Sequence, residues 1–135
     1  TVTEIGYGSF YGTSISSLVI PNSVTTIQSY AFADGGQITN LTLSNNLTTI
    51  SDSAFQANNI ASINIPDSVT TIEGSAFYGN NLSTLTIPDS VTTIQGWAFL
   101  ENPITSVSLK AGTTYQSNTF PPSCTVANGC IVERP

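Results

Sequence analysis

The sequence predicts an α/β solenoid, a short right-handed superhelix with a parallel β-sheet on its concave side. Three series of residues recur in one register and predict this fold. The pair Ala-Phe recurs at a spacing of 22 or 23 residues, with its Phe at Phe32, Phe55, Phe77 and Phe99. The tripeptide Thr-Thr-Ile recurs at 25–27, 48–50, 70–72 and 92–94. An aliphatic series keeps the same period, at Ile15, Ile38, Ile60, Leu82 and Ile104.

One unit of the repeat reads I-x-x-I-x-I-P-D-S-V-T-T-I-x-x-x-A-F-x-x-N-N, as in residues 60–81. Ile63 and Ile65 alternate, which predicts a short strand with both side chains on its inner face. Pro-Asp-Ser then turns the chain, because Pro fixes φ and the two polar residues bond nearby backbone. Around Ala76-Phe77 we expect a 3₁₀ or short helical turn on the convex side.

A single unit of this kind cannot fold alone. Its roughly six large apolar side chains each contribute about 1.5–3 kcal/mol on burial, whereas ordering each residue costs roughly 1.5 kcal/mol. The balance improves when neighbouring coils cover each other. We therefore expect about five stacked coils with a Phe column inside. A column of buried amides at Asn58, Asn80 and Asn102 would satisfy backbone groups at one turn.

Two segments are predicted along the chain. Residues 1–109 hold the repeats of about 22 residues, and the first is truncated because Val2-Thr3-Glu4-Ile5 aligns with the Val-Thr-Thr-Ile position. Further repeats or a cap are expected upstream. Residues 110–135 form a partial repeat and a cap, in which a disulfide between Cys124 and Cys130 would hold a hairpin turned at Asn128-Gly129. A redox pair or metal site would require C-x-x-C spacing or further ligands.

Composition excludes several classes of function. The net charge is −6, and Lys110 and Arg134 are the only basic residues. Nucleic-acid binding requires clustered basic residues, so this class is excluded. No apolar run reaches the roughly 20 residues of a membrane span, so insertion is not expected. The chain has no His, the commonest general base and zinc ligand. We predict no catalytic site, no metal and no cofactor.

The repeat resembles the BspA-like leucine-rich repeat family, also called the Treponema pallidum type. The residues that carry the resemblance are Leu41-Thr42-Leu43, Leu47-Thr48-Thr49-Ile50 and Ala54-Phe55, with their copies in other units. It covers about residues 1–120. The family is found in surface proteins of bacteria and some protists. The resemblance therefore implies a secreted or cell-surface protein with an adhesion or host-interaction role.

The outward positions of the concave strands are the predicted binding site. They are short, neutral hydroxyl and amide side chains with one Val, which suit hydrogen bonding to a protein surface or a glycan. The alternative is that they simply tolerate a tightly stacked sheet. The predicted positions are Ser17, Val19, Asn40, Thr42, Ser62, Asn64, Thr84, Thr86, Ser106 and Ser108.

Three other features have structural interpretations. The doubled Thr columns resemble ice-binding arrays, but adjacent pairs should not share one flat face. Asp67 and Asp89 stack in neighbouring coils, at a position that holds Asn elsewhere, which indicates turn formation rather than a carboxylate pair. Tyr30 and Trp97 share one convex position, and Tyr11, Tyr78 and Leu100 share another. Small or polar residues separate them, so no continuous aromatic stripe is expected.

The sequence thus predicts a non-enzymatic module that binds a protein or glycan at a bacterial cell surface, with a monomer favoured. The alternatives are a structural spacer or stalk that presents another domain, then a carbohydrate-binding or ice-binding module.

Overall fold

The chain forms a parallel β-solenoid of six coils rather than about five. A computed structural model describes all 135 residues. It contains no helix, and its strands are β1 (Glu4–Ile5), β2 (Ser17–Val19), β3 (Thr26–Ile27), β4 (Asn40–Thr42), β5 (Thr49–Ile50), β6 (Thr71–Ile72), β7 (Thr84–Thr86), β8 (Thr93–Ile94), β9 (Ser106–Lys110), β10 (Thr114–Tyr115) and β11 (Ile131–Arg134). Every strand pair is parallel, because successive coils run in the same direction. The right-handed coiling stays a prediction.

The coils are numbered 1 to 6 by the residues Phe10, Phe32, Phe55, Phe77, Phe99 and Phe120. Each coil runs from a two-residue strand through its Phe to the segment before the next two-residue strand. Each coil contributes to two sheets. The first sheet, which we call the side ladder, contains the two-residue strands and is divided into β1–β3 and β5–β6–β8–β10. The second sheet, which we call the strand face, contains β2–β4 and β7–β9–β11. Residues 61–64 occupy the strand-face position of coil 3 but form no strand. The recurring Ile of the side ladder points inward and is buried in coils 2 to 5, whereas the preceding Thr is exposed or half-buried.

The core is a column of six stacked phenylalanines. Successive ring centroids are 5.1–5.7 Å apart and the rings are within 2–11° of parallel, from Phe10 to Phe120. Phe55, Phe77 and Phe99 are fully buried, whereas Phe10 is 42 % exposed at the end of the column. The constant spacing shows that the Phe side of the solenoid is regular from end to end.

The predicted 3₁₀ or helical segments on the convex side are wrong, and with them the α/β class. Each of the first five coils has two residues with φ between 52° and 69°, in the columns Gly8, Tyr30, Ser53, Ser75, Trp97 and Gly12, Asp34, Ala57, Gly79, Glu101. Left-handed residues interrupt a right-handed helix. The backbone instead bonds the next coil: Phe77 N–H donates to the Ala98 carbonyl oxygen at 2.9 Å. The convex side is therefore a series of turns.

The predicted Asn column is confirmed. The Asn80 side-chain amide donates to the carbonyl oxygens of Phe55 at 2.9 Å and Phe77 at 3.1 Å. Its side-chain oxygen accepts from Ile60 N–H at 3.1 Å. Asn58 and Asn102 repeat this arrangement one coil before and after. The buried amides thus satisfy the backbone at the turn after each Phe.

The strand face is interrupted at coil 3. No backbone hydrogen bond joins residues 61–65 to β4 or to β7, whereas β2 pairs with β4 and β7 with β9. The side ladder is also interrupted between β3 and β5. Coil 2 is one residue longer than its neighbours, with 23 residues from Phe32 to Phe55. The interruption follows this longer coil.

The C-terminal segment contains the predicted disulfide but not the predicted hairpin. Cys124 and Cys130 are bonded, with their Cα atoms 5.0 Å apart. Between them Asn128 Oδ1 accepts from the N–H groups of Thr125 and Cys130. The chain then continues as β11, which pairs parallel with β9. The disulfide therefore closes a turn within coil 6, and the boundary at residue 110 stays a prediction.

Candidate binding surfaces

The strand face presents the ten predicted site residues in two groups. Nine are exposed and Ser108 is half-buried. Strand pairing aligns Ser17 with Asn40 in the first group and Thr84 with Ser106 in the second. Ser62 and Asn64 lie between the groups, at the interruption. The structure therefore brings the predicted residues to one face but does not form one continuous sheet from them.

A depression lies on this face between coils 3 and 4. Its volume is about 340 Å³, and it is lined by Ser62, Ile63, Asn64, Ile65, Asp67, Thr84, Thr86 and Pro88. Four of these are predicted site residues. The backbone N–H and C=O groups of residues 61–64 make no hydrogen bond to other backbone groups. Both neutral side chains and free backbone groups are thus available at one place on the strand face.

An ion pair borders the strand face at its C-terminal end. Arg134 donates to Asp89 Oδ1 at 2.9 Å, to Ser108 Oγ at 2.5 Å and to the Ile87 carbonyl oxygen at 2.6 Å. The hydrogen bond from Arg134 is the main cause that lowers the pKa of Asp89 from its ordinary value, and the charges of Arg134 and Lys110 add to it. Asp89 therefore has a structural role in linking coils.

The first Thr column has a structural role as well. The hydroxyls of Thr25, Thr70 and Thr92 each donate to a carbonyl oxygen in the preceding coil, at 3.2–3.4 Å. These hydroxyls are therefore engaged within the protein. The second column, at Thr26, Thr49, Thr71 and Thr93, lies in the side ladder. Ice binding by these columns stays a prediction.

Sequence reasoning missed a set of amide and carboxylate caps. Gln28 Oε1 accepts from Tyr7 N–H at 2.9 Å, and Gln95 Oε1 accepts from Gly74 N–H at 3.1 Å. Glu73 Oε2 accepts from Asp52 N–H at 2.9 Å. Each cap lies directly after the recurring Ile, and that shared position was the available signal. These side chains bond one coil to the next.

The convex aromatics are grouped more closely than the sequence suggested. A cleft of about 350 Å³ is lined by Gln56, Ser75, Tyr78, Trp97 and Leu100. Trp97 is 53 % exposed. Tyr78 of coil 4 and Trp97 of coil 5 therefore line one cleft. The signal was present in the sequence, because neighbouring coils bring the two convex columns together.

Two tyrosines outside this cleft have a raised phenol pKa. Tyr11 donates to Asp34 Oδ2 at 2.5 Å, and this hydrogen bond, followed by the Asp34 charge, raises the pKa of Tyr11. Burial raises the pKa of Tyr115, with a smaller effect from the charge of Glu133. The Tyr115 ring packs edge-on against Phe120, with centroids 5.6 Å apart. Both contacts join neighbouring residues of the solenoid rather than forming a reactive site.

No group of three or more Cys, Asp or Glu side chains is arranged to hold a metal ion. The structure has no helix with the length and apolar character to cross a bilayer.

Comparison with known proteins gave one match. A family model described as BspA type leucine-rich repeat region matches residues 3–126 in six copies. The match confirms the resemblance carried by the Leu, Thr-Thr-Ile and Ala-Phe positions. Neither the curated proteins nor the solved structures gave a match.

Proposed function

Since this chain belongs to the BspA type leucine-rich repeat family, we propose that it is a non-enzymatic adhesion module, secreted or held at a cell surface. Its partner is a protein, which it recognises through the strand face. The family suggests protein interaction, and solenoids commonly bind along an extended face. The disulfide between Cys124 and Cys130 supports an oxidising compartment.

The interruption at coil 3 is the observation that carries this proposal. Residues 61–64 leave backbone donors and acceptors unpaired beside a depression of about 340 Å³. A protein segment that lies across Ser62 and Thr84 can bond both these side chains and the free backbone groups. Such bonds give a partner affinity that a fully paired sheet cannot offer. The stalk alternative requires no such surface.

A binding assay separates the adhesion module from the stalk. Purified extracellular-matrix proteins are immobilised, and retention of the chain is measured by surface plasmon resonance. The double variant Ser62→Lys/Thr84→Lys fills the depression with two long charged side chains and is expected to weaken retention at least tenfold. Ser117→Lys places a charge at an exposed position outside the depression and serves as the control.

Retention that is lost in the double variant and kept in Ser117→Lys supports the strand face as the binding surface. Absence of retention on every matrix protein would favour the stalk. Equal retention of the parent chain, the double variant and Ser117→Lys would place the binding surface elsewhere on the solenoid.

A further inference from the structure

The convex cleft forms because a small residue lies beside a large one in the same column. Ser53, Ser75 and Trp97 occupy one repeat position in coils 3, 4 and 5. The small side chain of Ser75 leaves space next to the indole of Trp97. Tyr78 and Leu100, from the second column, form the remaining walls, and Gln56 lies at the edge. The result is a shallow, open recess of about 350 Å³, which suits a ligand that lies against the surface rather than inside an enclosed pocket.

The two aromatic rings line this recess without filling it. On the same side of the solenoid Tyr7 packs on Tyr30, with ring centroids 5.7 Å apart. Trp97 and Tyr78 form no such pair, and Trp97 remains 53 % exposed. The indole of Trp97 is therefore open to a ligand, beside the half-buried Tyr78.

The polar groups of the recess also lack partners within the protein. Four side-chain groups of the recess take part in none of the hydrogen bonds within the protein, although neighbouring residues do. They are the Trp97 indole N–H, the Tyr78 hydroxyl, the Ser75 hydroxyl and the Gln56 amide. These groups together include donors and acceptors. None of the five lining residues is charged. A ligand that matches this lining carries several hydroxyls, one apolar face and no charge.

Trp97 also adopts a costly backbone conformation. Its φ is 62°, in the left-handed region that costs a residue with a Cβ roughly 1–2 kcal/mol. The same column holds Gly in coil 1 and Ser in coils 3 and 4, side chains with little bulk. Tyr30 shares the conformation but packs against Tyr7. The repeat imposes this conformation on the whole column, so the feature specific to Trp97 is a large exposed indole, with no aromatic partner, where three other coils have Gly or Ser.

We infer that the cleft between Trp97 and Tyr78 binds the ring of a neutral sugar. The C–H groups on one face of a pyranose ring carry partial positive charge, and the face of an aromatic ring is negative. Stacking on the indole therefore orients the sugar, and the Ser75 hydroxyl and Gln56 amide bond its ring hydroxyls. An anionic sugar is disfavoured because the chain carries a net charge of −6 and no base lines the cleft. This site is separate from the strand face.

Trp97 allows a direct test, because it is the only Trp of the chain. Its fluorescence is followed while the intact chain is titrated with methyl glycosides of glucose, galactose and mannose, and with glucuronate. We expect a saturable change in emission and protection from acrylamide quenching with at least one neutral glycoside. The expected dissociation constant is on the order of 1 mM, typical of a small site with few contacts. Glucuronate is expected to bind at least tenfold more weakly.

Matched variants separate the cleft from other surfaces. Tyr78→Ala is expected to weaken sugar binding at least tenfold. Tyr11→Ala, at the same repeat position in coil 1, is expected to leave binding unchanged. Trp97→Ser restores the residue found at this position in coils 3 and 4, and is expected to abolish saturation-transfer NMR signals from the sugar. Thermal melting of each variant verifies that it is folded.

Three results would overturn the inference. The first is the absence of a saturable change with every neutral glycoside up to about 100 mM, well above the expected dissociation constant. The second is binding that persists unchanged in Trp97→Ser. The third is equal weakening by Tyr11→Ala and Tyr78→Ala, which would place the sugar outside the cleft. Protein binding at the strand face can fail or succeed independently of each result.

Discussion

The side-chain amide of Asn80 donates a hydrogen bond of 2.9 Å to the carbonyl oxygen of Phe55 in the preceding coil. The same side chain bonds the Phe77 carbonyl oxygen and the Ile60 N–H. One buried Asn therefore satisfies three backbone groups that belong to two coils. Without it the Ile60 N–H would lie inside the solenoid with no partner, at a cost of about 1–3 kcal/mol. The two carbonyl oxygens would each keep one bond, from Asn58 and Asn102.

Replacement of Asn80 is accordingly expected to be severe. Asn80→Ala leaves the Ile60 N–H unsatisfied and removes one bond from each of two carbonyl oxygens, so we expect the free energy of unfolding to fall by about 2–3 kcal/mol. Urea denaturation followed by circular dichroism measures the change. The control is Asn81→Ala, at the exposed neighbouring Asn, which should lie within about 0.5 kcal/mol of the parent. Similar losses in the two variants would contradict the role assigned to Asn80.

The left-handed turns predict a substitution that raises, rather than lowers, the free energy of unfolding, at Ala57. Its φ is 52°, and the same repeat position is Gly12 in coil 1 and Gly79 in coil 4. Because Gly adopts this conformation without a Cβ penalty, we expect Ala57→Gly to raise the free energy of unfolding by about 1 kcal/mol. Ala61→Gly is the control. Residue 61 has no positive φ, so the same change should destabilise by roughly 0.5–1 kcal/mol. If urea denaturation shows that both Ala57→Gly and Ala61→Gly lower the free energy of unfolding, the interpretation is refuted.

The ion pair between Asp89 and Arg134 gives a pH dependence. The guanidinium lowers the pKa of Asp89 in the folded chain, so the contact stabilises the protein above the unfolded-state pKa of Asp89. That stabilisation is lost as the pH falls through the lowered folded value. Carboxyl NMR titration should show the Asp89 pKa returning toward its ordinary value in Arg134→Gln. A pKa that stays equally low in this variant would assign the shift to another cause.

The disulfide is expected to stabilise the C-terminal coil modestly. Cys124 and Cys130 are six residues apart, and closing so short a loop restricts the unfolded chain by roughly 2 kcal/mol in the loop-entropy account. Addition of dithiothreitol should therefore lower the melting temperature measured by calorimetry. In the double variant Cys124→Ala/Cys130→Ala the reductant should have no effect. An unchanged melting temperature in the parent after complete reduction would rule out this contribution.

The regular side chains of the repeat could be predicted from the sequence because each recurs at one position. The Phe column, the inward Ile residues and the amides Asn58, Asn80 and Asn102 all follow from spacing alone. The geometry of the core repeats in every coil. A residue type that recurs at a fixed period therefore occupies the same buried environment each time. The outward positions of the strand face follow from the same alternation.

The backbone could not be predicted as well. The convex turns contain Trp97 and Tyr30 at positive φ, which is a conformation that their residue types disfavour. Only the pairing of each N–H with the next coil makes it favourable, and that pairing depends on tertiary stacking. The interruption at Ser62 and Asn64 likewise depends on how coil 3 lies against both neighbours, which the local sequence does not state.

Most backbone hydrogen bonds here connect residues about one repeat apart, as between Phe77 and Ala98. They therefore run along the long axis of the solenoid. A pulling force between the two ends would load the interfaces between coils in series, so that every interface carries the full tension and the bonds within an interface share it. Coils would then separate one after another, beginning where fewest bonds resist, on either side of coil 3. Stretching would then absorb mechanical work in several small steps, which suits a flexible tether better than a rigid support.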